Sequence, residues 1–106
     1  LLVEMRNDGH QLSGKELLCF LPAQIAQAAI DAGLLLQQFR ELVQSNVRDD
    51  LEMSITLLDG SFTAAILLLQ SNLRIWPDPY LIQTYQPQLE ELDLKKNLLK
   101  PIKQIR

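Results

Sequence analysis

The sequence predicts an all-α protein, and three observations carry that prediction. About a fifth of the 106 residues are leucine while β-branched residues are sparse, a balance that favours helices because unbranched and γ-branched side chains keep their rotamer freedom there. Apolar residues recur at i, i+3, i+4 and i+7 over long stretches. Short Pro, Gly and Ser/Asn punctuation then divides the chain into segments of helical length. The expected architecture is a single domain spanning 1–106, with five to six helices in a compact bundle or a short α-solenoid segment. The absence of a clean internal repeat weighs against the solenoid.

Hydrophobic content of 47% and charged content of 22% suit one folded domain with a real core. A net charge of −3 supplies no global attraction to nucleic acid or anionic lipid. Cys19, the one cysteine, excludes an intrachain disulfide and a cysteine-based zinc cluster. The chain opens Leu1-Leu2-Val3-Glu4, without the basic and apolar regions of a signal peptide, a start expected of a segment from a longer protein. An intracellular location, cytoplasmic or nuclear, is therefore the expectation. Unbroken apolar runs such as Leu34 to Leu36 and Ala64 to Leu69 are far shorter than the ~20 residues that cross a bilayer, so no membrane role is expected.

The first twelve residues carry a turn cluster, Asn7-Asp8-Gly9-His10, and read as loop or short strand. The stretch NDGHQLSGKEL partly resembles the end of an EF-hand calcium loop through Leu12, Ser13 and Glu16, but Met5 stands at the first ligand position and His10 at the glycine position. Ser13 and Glu16 fit a capping box for a short helix from Gly14 to Leu21. Pro22 kinks that helix or opens the next, which the spacing of Ile25, Ala28, Ala29, Ala32, Leu35, Leu36, Phe39, Leu42 and Val43 extends to Gln44, with this stripe facing the core. The alanines permit close approach of a neighbour, and Gly33 marks a close contact or a bend.

Asn46 is the expected cap of a further helix with Val47, Leu51, Ile55 and Leu58 on one face, ended by Asp59-Gly60. A period-two reading competes here. Met53, Ile55 and Leu57 alternate with polar residues, Asp59-Gly60 is a favoured hairpin turn, and Phe62, Ala64, Ile66 and Leu68 continue the alternation, giving an α+β alternative with a hairpin at 51–69. In the helical reading Ser61 caps a helix with Phe62, Ala65, Ile66, Leu69 and Leu73 inward and Leu67 and Leu68 on its sides. Trp76-Pro77-Asp78-Pro79 stops it, Asp78 caps a short helix from Tyr80 to Gln86, and Pro87 restarts the chain into a last helix from Gln88 to Lys100.

No credible catalytic set emerges. His10 lies in a turn, and Cys19 sits among Leu17, Leu18, Phe20 and Leu21 as a small core residue. The pairs Asp49-Asp50 and Glu90-Glu91 diverge by ~100° on a helix and cannot act together. Neither GxGxxG nor GxxxxGK[ST] occurs, so no cofactor is expected. The expected function is a noncatalytic protein-protein interaction or assembly module, such as a segment of a larger scaffold, meeting a protein partner or a copy of itself through Leu67, Leu68, Trp76, Tyr80 and Tyr85. Two alternatives accompany it. The basic end, Lys95, Lys96, Lys100, Lys103 and Arg106, is the place for an accessory nucleic-acid contact, though it has no interleaved aromatic residue. A pocket within the apolar core would instead make a small apolar-ligand-binding domain.

Overall fold

Three helices, not five or six, account for the architecture. The computed structural model describes Glu4–Met5, Gln11–Leu12 and residues 14–100. A two-residue antiparallel ladder pairs β1 (Glu4–Met5) with β2 (Gln11–Leu12). Then come α1 (Gly14–Gln37), α2 (Ser45–Ile75) and α3 (Pro79–Lys96). The reduced number has one cause: three expected breaks, at Pro22, Asp59-Gly60 and Pro87, all lie inside continuous helices. The expected turn cluster, His10 and the capping serine Ser13 lie outside the described residues, as does the tail from Pro101.

Pro22 removes the N–H that would bond the carbonyl four residues back, that of Leu18. Here Asn72 of α2 donates its side-chain amide to the Leu18 oxygen at 2.8 Å. A donor from a neighbouring helix thus replaces the missing backbone donor, and α1 runs through its proline. After Gln37 the helix tightens into three-residue turns, with bonds from the N–H of Gln38, Phe39 and Arg40 to the carbonyls of Leu35, Leu36 and Gln37. The helix therefore ends seven residues short of the expected Gln44.

The Asp59-Gly60 step is helical, and the hairpin at 51–69 is overturned. On α2 the buried residues Glu52, Ile55, Phe62, Ala65, Leu69 and Leu73 hold a single helical face on both sides of Gly60, which only an unbroken helix can do. An added Cβ at Gly60 would meet no atom within 4 Å, so its helical penalty is the intrinsic one. Asp78 does cap α3 as expected, accepting from the Tyr80 N–H at 2.9 Å with Pro79 in the first turn. The break between α2 and α3 is real because Trp76-Pro77-Asp78-Pro79 places two prolines where helical hydrogen bonding cannot continue.

α1 and α2 are antiparallel, with Leu18 beside Asn72 and Gly33 beside Leu58. α3 lies on one side of this hairpin and packs chiefly on α1. The core is a line of two clusters. Cys19, Ala23, Leu69, Leu73, Leu81 and Tyr85 form one, flanked by Leu89. Ala26, Ala29, Ile30, Phe62, Ala65 and Leu92 form the other, flanked by Leu34, Leu58, Ile66 and Leu99. Leu69 and Leu92, fully buried, each stabilise the fold by about 1.5–3 kcal/mol through removal of apolar surface from water. The molecule is slender, 52 × 24 × 18 Å, as expected of long helices side by side.

Gly60→Ala is expected to raise stability in urea denaturation by up to ~1 kcal/mol, because it removes only the conformational cost of glycine in an open helical position. A hairpin turn there would give the opposite sign. A double-mutant cycle tests the proline repair: Asn72→Ala should cost ~1 kcal/mol beside Pro22 and markedly less in a Pro22→Ala background, where residue 22 supplies its own N–H.

Candidate interaction surface

Helix α1 is apolar on two faces. The buried one is a stripe of mostly small residues, Cys19, Ala23, Ala26, Ile30 and Gly33, spaced by three and four. At Gly33 a Cβ would stand 3.7 Å from the Leu99 side chain and 3.9 Å from Leu58, so small side chains let the helices approach. Of the longer stripe that sequence periodicity assigns to the core, only Ala29 is buried there, with Ala32, Leu36 and Val43 half-buried. Ile25, Leu35 and Phe39 are exposed, as are Leu18, Leu21 and Ala28 on the same side. Polar Gln24, Gln27 and Asp31 form only a narrow strip between the two apolar faces. Burial went to the face whose small residues allow close packing, and the bulkier stripe was left outside.

Helix α2 repeats the pattern. Away from its buried face it exposes Met53, Leu57, Ala64, Leu67, Leu68 and Ile75, interrupted by Gly60 and Ser61. The directions of the contacts place the two stripes together. Asn72, on the edge of α2 facing α1, reaches Leu18, whereas Asp59 and Asp31 pair with Lys96 and Lys95 of α3. At ~100° per residue, Leu57, Ala64, Leu68 and Ile75 on α2 and Leu18, Leu21, Ile25, Ala28, Ala32 and Leu35 on α1 all point to the side of the hairpin opposite α3. Neither set contains a charged residue.

Of the five residues expected to meet a partner, four are exposed. Leu67 and Leu68, 61% and 51% exposed, lie on α2, with Leu68 on the shared outer face and Leu67 turned toward its flank. Trp76 and Tyr80 are exposed at the turn joining α2 to α3, where the Lys15 ammonium stands 5.5 Å from the Trp76 ring centre as a cation–π partner. Tyr85 is placed elsewhere: at 5% exposure it belongs to the core cluster with Cys19 and Leu81. Its ring faces inward because α3 continues through Pro87, which sets Leu81, Tyr85, Leu89 and Leu92 on one side.

A buried ion pair that sequence reading missed holds the far end of the hairpin. Arg40 donates from Nε to Glu52 Oε2 at 2.8 Å and from Nη2 to Oε1 at 2.9 Å, a bidentate pair with both side chains less than a tenth exposed. Arg40 Nη1 also donates to the Lys100 carbonyl at 3.1 Å. Gln37 completes the clasp, donating to the Leu98 carbonyl at 2.8 Å and accepting from the Lys100 N–H at 3.0 Å. No residue-type pattern announces partners separated by 12 and 60 positions.

The basic end is partly neutralised within the bundle. Lys95 pairs with Asp31 at 2.9 Å and Lys96 with Asp59 at 2.6 Å, while Lys103 and Arg106 lie outside the described residues. Hydrogen bonds from Lys95 and Gln27 hold the Asp31 carboxyl below the usual carboxylate range. Cys19 is 1% exposed, and burial, helped by the negative charge of Asp78, pushes its thiol above the ordinary value. Among the described residues no group of three or more His, Cys, Asp or Glu side chains is placed to hold a metal. Between α2 and α3 an open cleft of about 580 Å³ has an apolar floor of Phe62, Ile66, Leu73, Ile82 and Leu89, and Arg74, Glu90 and Asp93 among its rim residues.

By length and composition alone, α1 and α2 are each apolar enough to cross a membrane, because the merging of segments yields helices of 24 and 31 residues. The core helix of a soluble bundle meets the same criterion. Compared with known proteins, the chain matches no family model, no curated protein and no solved structure.

Replacing Arg40 or Glu52 singly by alanine should destabilise the protein by about 3–5 kcal/mol in chemical denaturation, since either change strands a buried charge. The double replacement Arg40→Met with Glu52→Leu should recover much of that loss.

Proposed function

We propose that the chain is a noncatalytic protein-interaction or assembly module whose contact surface is the outer face of the α1–α2 hairpin. The observation that carries this reading is the continuous uncharged stripe on both helices, from Leu18 to Leu35 on α1 and from Leu57 to Ile75 on α2, on the side away from α3. Monomeric soluble proteins rarely expose apolar patches of more than a few hundred Å², and larger ones mark protein or membrane contacts. Leu68 lies within the face, while Trp76 and Tyr80 extend the apolar surface around the end of the bundle. Such aromatic residues at a rigid turn offer contact area at little entropic cost.

Radical footprinting of the purified protein and of its native assembly tests the reading. Leu21, Ile25 and Leu68 should be protected in the assembly while Leu94, exposed on α3, stays reactive. Leu68→Glu should abolish assembly while changing stability by no more than about 0.5 kcal/mol, as for other exposed positions. Equal labelling of Leu68 and Leu94 in every native preparation would rule the surface out.

A further inference from the structure

We infer that the occupant of this face is a second copy of the chain, in an isologous dimer that rests on the interaction-module reading above. Three properties of the face argue for self-pairing. The first is area. At 1.5 Å per residue the shared length of α1 and α2 is ~36 Å, and two helices abreast are ~20 Å wide, giving roughly 700 Å² of flat surface per copy before side-chain corrugation. A standard stable interface uses ~800 Å² per partner.

The second property is charge. The stripes hold no Lys, Arg, Asp or Glu, so the face offers nothing for a charged partner to complement, and two copies meet without placing like charges opposite one another. A bilayer surface is less well matched. α1 carries one cation, Lys15, against Glu16 and Asp31, and α2 has Arg48 and Arg74 against four acids, so neither helix presents the basic flank that holds an amphipathic helix on anionic lipid.

The third property is shape. Because Gly33 lies level with Leu58 and Leu18 with Asn72, Ala28 of α1 stands level with the turn between Ser61 and Ala64 of α2, and Ala32 lies one turn further along, beside Leu58. Bulk gathers toward the ends and is unequal: Leu18, Leu21, Leu68 and Ile75 at one, Leu35 and Leu57 at the other, with Ile25 beside Ala64 between them. A two-fold axis lying in the face and crossing the helices sets the bulkier end of each copy over the lighter end of the other. The central alanines and serine then allow the four helices to approach closely, as small residues do between α1 and α2 themselves.

Sedimentation velocity with multi-angle light scattering on the purified chain tests this. The expected particle has twice the 12.1 kDa chain mass. Ala64→Glu should halve that mass with unchanged helicity, and the Ala64→Cys variant should cross-link to its own copy with a short bis-maleimide while a Leu94→Cys control does not. Native Cys19 is buried and leaves the reagent to the introduced thiol. A monomer up to about 100 μM, or a dimer indifferent to Ala64→Glu, overturns the second-copy assignment. In the monomer case two further readouts separate the claims. Footprint protection of Leu21 and Leu68 by a different chain leaves the module reading standing, whereas flotation with phosphatidylcholine vesicles, lost in Ala64→Glu, replaces both with a bilayer contact.

Discussion

The close seam between α1 and α2 is the constraint on which the rest of the structure depends. Ala23, Ala26 and Gly33 keep α1 slim where it meets α2, and Leu58, Phe62, Ala65 and Leu69 fill the space this opens. Close packing along a seam of this length needs both helices to run without interruption, because a break in either would turn its later residues away from the other. That demand explains why Gly60 is absorbed into α2 despite its helical cost of ~1 kcal/mol, and why α1 tolerates Pro22. Tertiary packing overrides local punctuation when the buried face on both sides of a breaker is the same face.

Polar groups secure the seam where apolar contacts cannot. Asn72 satisfies the Leu18 carbonyl that Pro22 leaves without a donor, so the helix defect becomes an inter-helix bond. At the other end Arg40 and Glu52 close the hairpin, and Gln37 with Arg40 holds the backbone after α3. Desolvation offsets most of the Coulomb attraction of this buried pair, while its two parallel hydrogen bonds fix how Arg40 and Glu52 face one another.

Packing α1 by its small-residue face has a consequence for the surface of the bundle. The bulkier stripe is left outside, beside a matching stripe on α2, and the bundle has too few helices to cover it. α3 occupies only one side of the hairpin and diverges from α2 enough to leave a cleft. A three-helix chain with this much leucine thus carries a core on one side and, among the described residues, an exposed apolar layer on the other.

The helical class, the α2–α3 boundary at Trp76-Pro77-Asp78-Pro79, the Asp78 cap and the inward face of Phe62, Ala65, Leu69 and Leu73 follow from the sequence by itself. They are set by local chemistry and by a periodicity that has one buried solution. The exposure of Leu67, Leu68, Trp76 and Tyr80 was also legible, as residues left over once that face was assigned. The number of helices, the inward turn of Tyr85, the Arg40–Glu52 pair and the outward turn of Ile25 and Leu35 were decided only by tertiary structure. A helix with two apolar faces gives periodicity no means of choosing between them; the choice lay with α2, which could approach α1 closely only over alanine and glycine.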